Sequence, residues 1–400
     1  MRASSRRWAA SWRPLLLALA ILVAVPQPAR GQEYKGKRKF IYAVIGAVLV
    51  GVPTYISASD GEYDNFCSSK TCMGVVGASV GALIGFLIGN EIDAKHERRM
   101  AAGPSLDYQH RNVPLDLTPD RMVYFPGGAA VAGVGGARIV YRDGRTLMRG
   151  SGVRGIEDIA VLPSLDLLVL STYSNLLAFP IEGDTAQGEV IDERGGGAME
   201  AMDGLLAVAG LDSLRLLRVR RGAVALATEP VAGIAHSEFV TDMTHSRFGQ
   251  VTWLLIEDRL VAYNALFEKV GELQLPVAGR AIRTDGSRLA IAAGSEGVFV
   301  FDVRDPALPR IVLEYKGVRF AYAADLEGDR MYVAAGPEGV AVVDISGSEP
   351  RVLGVAREVE FASDVLAAGD GEMWILDREG RRVQIADFAT EAAGGPGQSR

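Results

Sequence analysis

Four aspartates recur in similar surroundings: Asp158 in Glu-Asp-Ile-Ala, Asp242 in Thr-Asp-Met-Thr, Asp325 in Ala-Asp-Leu-Glu and Asp364 in Ser-Asp-Val-Leu. If a fold gathers them, four carboxylates offer oxygen ligands for a hard divalent cation such as Ca2+. The same groups can instead accept backbone N–H bonds or cap their own turns, once per structural unit. Repetition at equivalent positions favours the structural role, because an active site normally breaks the symmetry of a repeat. The densest polar cluster is His236-x-Glu238-x-x-x-Asp242-x-x-His245. Its two histidines are spaced for neither a helical nor a strand metal pair. The segment is an insertion, so His236, Glu238 and His245 form either a functional polar loop or a plain surface loop.

Other chemistries find no support. Gly195-Gly196-Gly197 is too short for a phosphate loop, and no Lys-Ser/Thr follows it. Gly133-x-Gly135-Gly136 precedes a strand rather than a helix, which excludes a dinucleotide fingerprint. No Gly-x-Ser-x-Gly elbow occurs in the β-rich region. Four histidines and two cysteines rule out a metal site rich in either. A formal net charge of -7 argues against nucleic-acid binding. No catalytic residue or resident cofactor is assigned.

The elements that would position the aspartates are short. From about Leu115, β-rich runs alternate with Gly, Asp and Pro turns at a period of roughly forty residues. The clearest pair is Arg288-Leu-Ala-Ile-Ala-Ala-Gly294-Ser-Glu-Gly297-Val-Phe-Val-Phe-Asp302 and Arg330-Met-Tyr-Val-Ala-Ala-Gly336-Pro-Glu-Gly339-Val-Ala-Val-Val-Asp344. Pro309-Arg310 and Pro350-Arg351 lead into a third strand, and an upstream run such as Phe320 to Leu326 supplies a fourth. Weaker copies begin near Ala130, Leu167, Leu206, Trp253 and Glu372, making about seven. A lone four-stranded unit has two apolar faces and open edges. Stacking such units around an axis buries the faces and shortens the edges. The expected fold is therefore mainly β, a propeller of about seven four-stranded antiparallel blades, with the aspartate-bearing strand of each blade lining a central channel. The last copy lacks a fourth strand, and a strand from around Leu115 to Phe125 is expected to close the ring.

Gly297-Val-Phe-Val-Phe-Asp-Val-Arg-Asp-Pro and Gly339-Val-Ala-Val-Val-Asp-Ile-Ser resemble the core of LVIVD repeats, the propeller blades of bacterial and archaeal surface or secreted proteins. The match is good between Arg280 and Gly354 and degrades elsewhere, where the Asp-x-x-x-Pro turn is missing. The resemblance implies a propeller and carries no shared activity or site residue. Lactonase-type propellers place carboxylates and a metal in the channel, which gives the four aspartates an enzymatic alternative.

The N-terminus reads differently. Arg2, Arg6, Arg7 and Arg13, the apolar run Leu15 to Val25 and Ala29-Arg30-Gly31 form a secretory signal over 1–31, with an uncleaved anchor helix as the alternative. Two apolar stretches follow within 32–100, Phe40 to Ile56 and Met73 to Ile92, each about long enough to cross a bilayer. Gly77, Gly81, Gly85 and Gly89 fall on one helical stripe, a close-packing face able to drive self-association. The pair resembles the glycine-zipper hairpins of bacterial envelope proteins; a buried soluble hairpin is the alternative. Export favours a disulfide between Cys67 and Cys72, with two free thiols as the alternative. Basic flanks and an acidic loop place the flanks inside by the positive-inside rule, whereas a cleaved signal predicts the reverse. A linker over 101–114, the propeller over 115–389 and a Gly-rich tail over 390–400 complete the chain.

Together these features predict an exported, membrane-associated envelope protein, with its propeller periplasmic or extracellular and binding or scaffolding another envelope protein. A metal-dependent hydrolase and a purely structural envelope protein are the alternatives.

Overall fold

The computed structural model describes residues 103–388, apart from 184–186, 203, 211, 223–224 and 237. The signal segment, the apolar hairpin with Gly77, Gly81, Gly85 and Gly89, the Cys67–Cys72 pair and the tail lie outside the described residues. Among the described residues no helix is long and apolar enough to cross a membrane.

Short runs of small and β-branched residues between glycine turns favour strands. Among the described residues, twenty-eight of them form seven four-stranded antiparallel sheets. In blades one to six the strands follow each other in chain order. Their innermost strands are Thr118–Phe125, Ile156–Leu162, Met199–Met202, Asp242–Ser246, Ala281–Thr284 and Ala323–Glu327. Blade seven starts with Ala362–Gly369 and borrows its outer strand, Gln109–Pro114, from the other end of the domain. That strand pairs from Gln109↔Asp387 to Pro114↔Arg382. Each innermost strand packs against that of the next blade, and Ala362–Gly369 packs against Thr118–Phe125, so the ring is closed. The described residues form a seven-bladed β-propeller.

Closure works as expected, but the closing strand lies upstream of Leu115–Phe125. Thr118–Phe125 opens blade one instead. Only Val113 of Gln109–Pro114 is buried, so this strand shows no apolar alternation that sequence could reveal. The segment before it also joins the sheet work. Leu106 N–H donates to Val355 O (3.1 Å) and Val355 N–H to Pro104 O (2.9 Å), a parallel addition to the outer strand of blade six. Gly354 makes room for it: a Cβ there would lie 2.4 Å from Leu106 Cγ.

The two clear repeats show why their glycines are needed. Gly297 (φ 84°) and Gly339 (φ 93°) lie in the left-handed region, and a Cβ on either would sit 2.0 Å from the carbonyl oxygen of Tyr315 or Ala356. Their partners, Gly294 and Gly336, reach the next blade. Gly294 exchanges two backbone bonds with Ala321 (3.2 and 2.8 Å), and Gly336 two with Ala362 (2.9 and 2.9 Å). The turn of one blade is thus stitched to the first strand of the next.

Apolar clusters fill every interface between adjacent blades. Trp253, Leu260, Phe299 and Phe301 lie between blades four and five; Val113, Met122, Trp374 and Leu376 between blades seven and one. In blades two to six the pairing of third and outer strands shifts register at a bulge, which raises the local twist.

This closure predicts the outcome of a truncation. A chain beginning at Leu115 leaves blade seven with three strands and an open edge. Its Tm should fall by on the order of 10 °C relative to a chain beginning at Gly103, with a broadened transition and a tendency to aggregate. Equal melting of the two chains by circular dichroism would refute the closing role of Gln109–Pro114.

Candidate functional site

Each innermost strand contributes one charged residue to the channel: Arg121, Asp158, Glu200, Asp242, Arg283, Asp325 and Asp364. The structure brings the four sequence-flagged aspartates together and adds Glu200 and the two arginines. A cavity of about 150 Å³ lies among Arg121, Asp158, Glu200, Asp242, Thr244 and Arg283.

The aspartates share one bonding pattern. One oxygen accepts the N–H of the following residue: Asp158 from Ile159 (2.9 Å), Asp242 from Met243 (3.0 Å), Asp325 from Leu326 (2.8 Å) and Asp364 from Val365 (2.9 Å). In three of them the other oxygen reaches the next blade: Asp158 accepts from Met199 N–H (2.7 Å), Asp242 from Ile282 N–H (3.0 Å) and Asp325 from Ala367 N–H (2.8 Å). Glu200 likewise accepts the backbone N–H of His245. These carboxylates are clasps between neighbouring blades.

Asp364 is served differently. Arg283 places Nη1 3.3 Å from Asp242 Oδ2 and Nη2 3.7 Å from Asp364 Oδ2. Its guanidinium stands where a cation bridging those carboxylates would sit. Among the described residues no group of three or more His, Cys, Asp or Glu is arranged to hold a metal ion.

The channel's electrostatics follow from burial. Burial raises Glu200 to about 8, with Asp242 and Asp158 adding repulsion and Arg283 opposing. Burial also raises Asp158 and Asp325 to about 6, and lifts Asp364 against the pull of Arg283. Desolvation pulls both guanidiniums down, but the carboxylates around them hold Arg121 and Arg283 above their ordinary value. Glu200, raised furthest above its ordinary value, is the member of the ring that keeps its proton at neutral pH.

The insertion does not form one site. Glu238 is exposed and pairs with Arg259. His236 is buried, and its backbone N–H donates to Asp212 O (2.9 Å). His245 lies on the innermost strand of blade four, with Nδ1 3.3 Å from Thr252 Oγ1. Its odd spacing from Asp242 turns it to the other strand face. Arg121, Glu200 and Arg283 escaped the sequence reading because they break the residue type while keeping the position. Aligning innermost strands by their forty-residue period, rather than searching for aspartates, would have found them.

Two predictions follow from this ring. Arg283→Met leaves Asp242 and Asp364 without their cation and should cost about 3–5 kcal/mol in urea unfolding; a change below about 1 kcal/mol would contradict the role given to it. The pH dependence has a definite sign. Glu200 in the folded chain keeps a proton that the unfolded chain releases near the ordinary carboxyl value of 4.5. Stability should therefore decline as pH rises from about 4.5 to about 8 and level off above that. Asp158 and Asp325 add to the decline between 3.8 and about 6. Thermal melts across pH 6–8 should show Tm falling, and Glu200→Gln should flatten that slope.

No protein-family model matches the chain, and no curated protein matches it. The likeness of the two clear repeats to LVIVD blades thus rests on their own residues. Solved structures do match. The β-propeller domain of Cps50 (Swd1) from Myceliophteria thermophila superposes with a TM-score of 0.56 at 11% identity, over 70% of this chain and 99% of that one. The WD40 β-propeller domain of Doa1 gives a TM-score of 0.55 at 12% identity, over 70% and 97%. At such identities the likeness carries the propeller fold alone.

Proposed function

We propose that this protein is an exported, membrane-tethered β-propeller that binds a protein partner at the cell envelope without catalysis of its own. The observation that carries this reading is the engagement of the channel carboxylates. Asp158, Glu200, Asp242 and Asp325 accept N–H bonds from the next blade, and Arg283 lies between Asp242 and Asp364. A ring committed in this way supports a rigid disc, and a rigid disc offers its turns as recognition surfaces. WD40-type neighbours are propellers of the same build, a fold that often mediates protein–protein contact. The tether and the envelope location rest on the basic and apolar N-terminal sequence and on the glycine stripe Gly77, Gly81, Gly85 and Gly89. Self-association through that stripe belongs to the same proposal.

The test uses the full chain in its own cells, with a photo-crosslinking residue replacing exposed Tyr173 or Phe239. The expected result is a discrete adduct with one protein, recovered with the membrane fraction. Hydrolysis of esters or lactones by the purified chain, dependent on Ca2+ or Zn2+ and lost in Asp242→Asn, would replace this reading with the enzymatic one.

A further inference from the structure

The turns that join each outer strand to the next innermost strand all emerge on one face of the disc. Three consecutive turns on this face carry an uninterrupted strip of rings and one guanidinium. Arg280 comes from the turn into blade five, Phe320 and Tyr322 from the turn into blade six, and Phe361 from the turn into blade seven. Phe320 and Tyr322 have centroids 4.6 Å apart, and Tyr322 and Phe361 4.9 Å, the latter edge-to-face. Arg280 Cζ lies 5.1 Å from the Phe320 centroid and 5.8 Å from that of Tyr322. The three rings are half-buried and Arg280 is exposed.

The strip rests on the repeat glycines. A Cβ at Gly294 would lie 3.0 Å from Phe320, and one at Gly336 would lie 2.7 Å from Tyr322 and 3.3 Å from Phe361. The backbone beneath is pinned as well. Arg280 N–H donates to Ala292 O and Tyr322 N–H to Ala334 O, both at 2.8 Å. The fully buried Asp377 accepts the N–H of Phe361 at 2.9 Å and of Glu360 at 3.1 Å. A surface ordered in advance loses little freedom on binding.

Charge selects the occupant. Lys316 faces Glu296 at 3.8 Å, and Glu338 accepts the backbone N–H of Arg319 at 3.2 Å. Arg280 stacks on rings, and no described carboxylate lies within ion-pair distance of it. Stacking holds a guanidinium flat and leaves its N–H edge open to a bidentate carboxylate. Partly buried aromatics beside such an arginine are the composition of an interface hot spot.

Building on the protein-binding reading above, we propose that this strip is the docking site, and that it takes an extended acidic–aromatic segment of a partner protein. A partner carboxylate meets Arg280, and an apolar side chain seats against Phe320, Tyr322 and Phe361.

The test uses the full chain in detergent and a fluorescent peptide of about ten residues in which Glu alternates with Phe and Leu. One control peptide carries Lys for Glu, and a second carries Gln for Phe and Leu. Anisotropy should show binding of the acidic–aromatic peptide alone. Arg280→Glu should weaken it by about tenfold or more, and Arg280→Lys by less. Phe320→Ala should weaken it comparably, while Phe248→Ala, in a turn at the opposite end of the strands, should not. Arg280 is exposed, so Arg280→Glu should leave the melting temperature unchanged and carries the test if Phe320→Ala fails to fold. Equal affinity for the Lys peptide, unaltered affinity in Arg280→Glu, or no binding of any peptide overturns the proposal. A crosslinked partner lost in Arg280→Glu supports the strip; one that persists there ends the strip proposal and keeps the protein-binding reading; no crosslinked partner with the unsubstituted chain ends both.

Discussion

The seven innermost strands stand around an axis without joining into one sheet, so something other than a strand ladder must hold each blade to the next. Apolar contact supplies attraction but little direction. Carboxylates supply direction. Each of Asp158, Asp242 and Asp325 fixes its own strand with one oxygen and grips an N–H of the following blade with the other. Buried backbone donors that face a neighbouring blade need such acceptors, because an unmet donor costs about 1–3 kcal/mol. The aspartates recur because this demand recurs.

Gathering acids around an axis creates a second problem. Five carboxyl groups in a narrow channel repel one another, and burial adds a desolvation penalty. The ring answers with Arg121 and Arg283 in two of seven positions and with a proton on Glu200. Arg283 does most for the far side, standing between Asp242 of blade four and Asp364 of blade seven. A hard divalent cation there would have to displace a guanidinium or take oxygens already holding N–H groups. The breaks in the repeat are thus explained by charge balance.

The blades were legible because β-strands and tight turns leave local marks. Arg288–Asp302 and Arg330–Asp344 announce two strands, a glycine turn and their period in the sequence itself. The aspartates were legible as a repeated type. The arginines and Glu200 were not, since their meaning lies in sharing a position with aspartates many residues away. Gln109–Pro114 was illegible for the opposite reason: an outer strand with one buried side chain has nothing to alternate. The aromatic strip was hidden by distance, its rings and guanidinium spreading from 280 to 361 and meeting only when three blades stand side by side.

The same turns that close the ring also shape its face. Gly294 and Gly336 each exchange backbone bonds with the next blade, and each is the floor beneath an aromatic ring. A larger residue at either position would disturb the stitch and the ring together. Blade-to-blade geometry and the presentation of Phe320, Tyr322 and Phe361 are therefore set by one feature. The proposed recognition surface inherits the stiffness of the closed ring instead of depending on a mobile loop. A disc of this kind gains affinity chiefly by avoiding the entropy cost of ordering its contact groups, as the proposed docking requires.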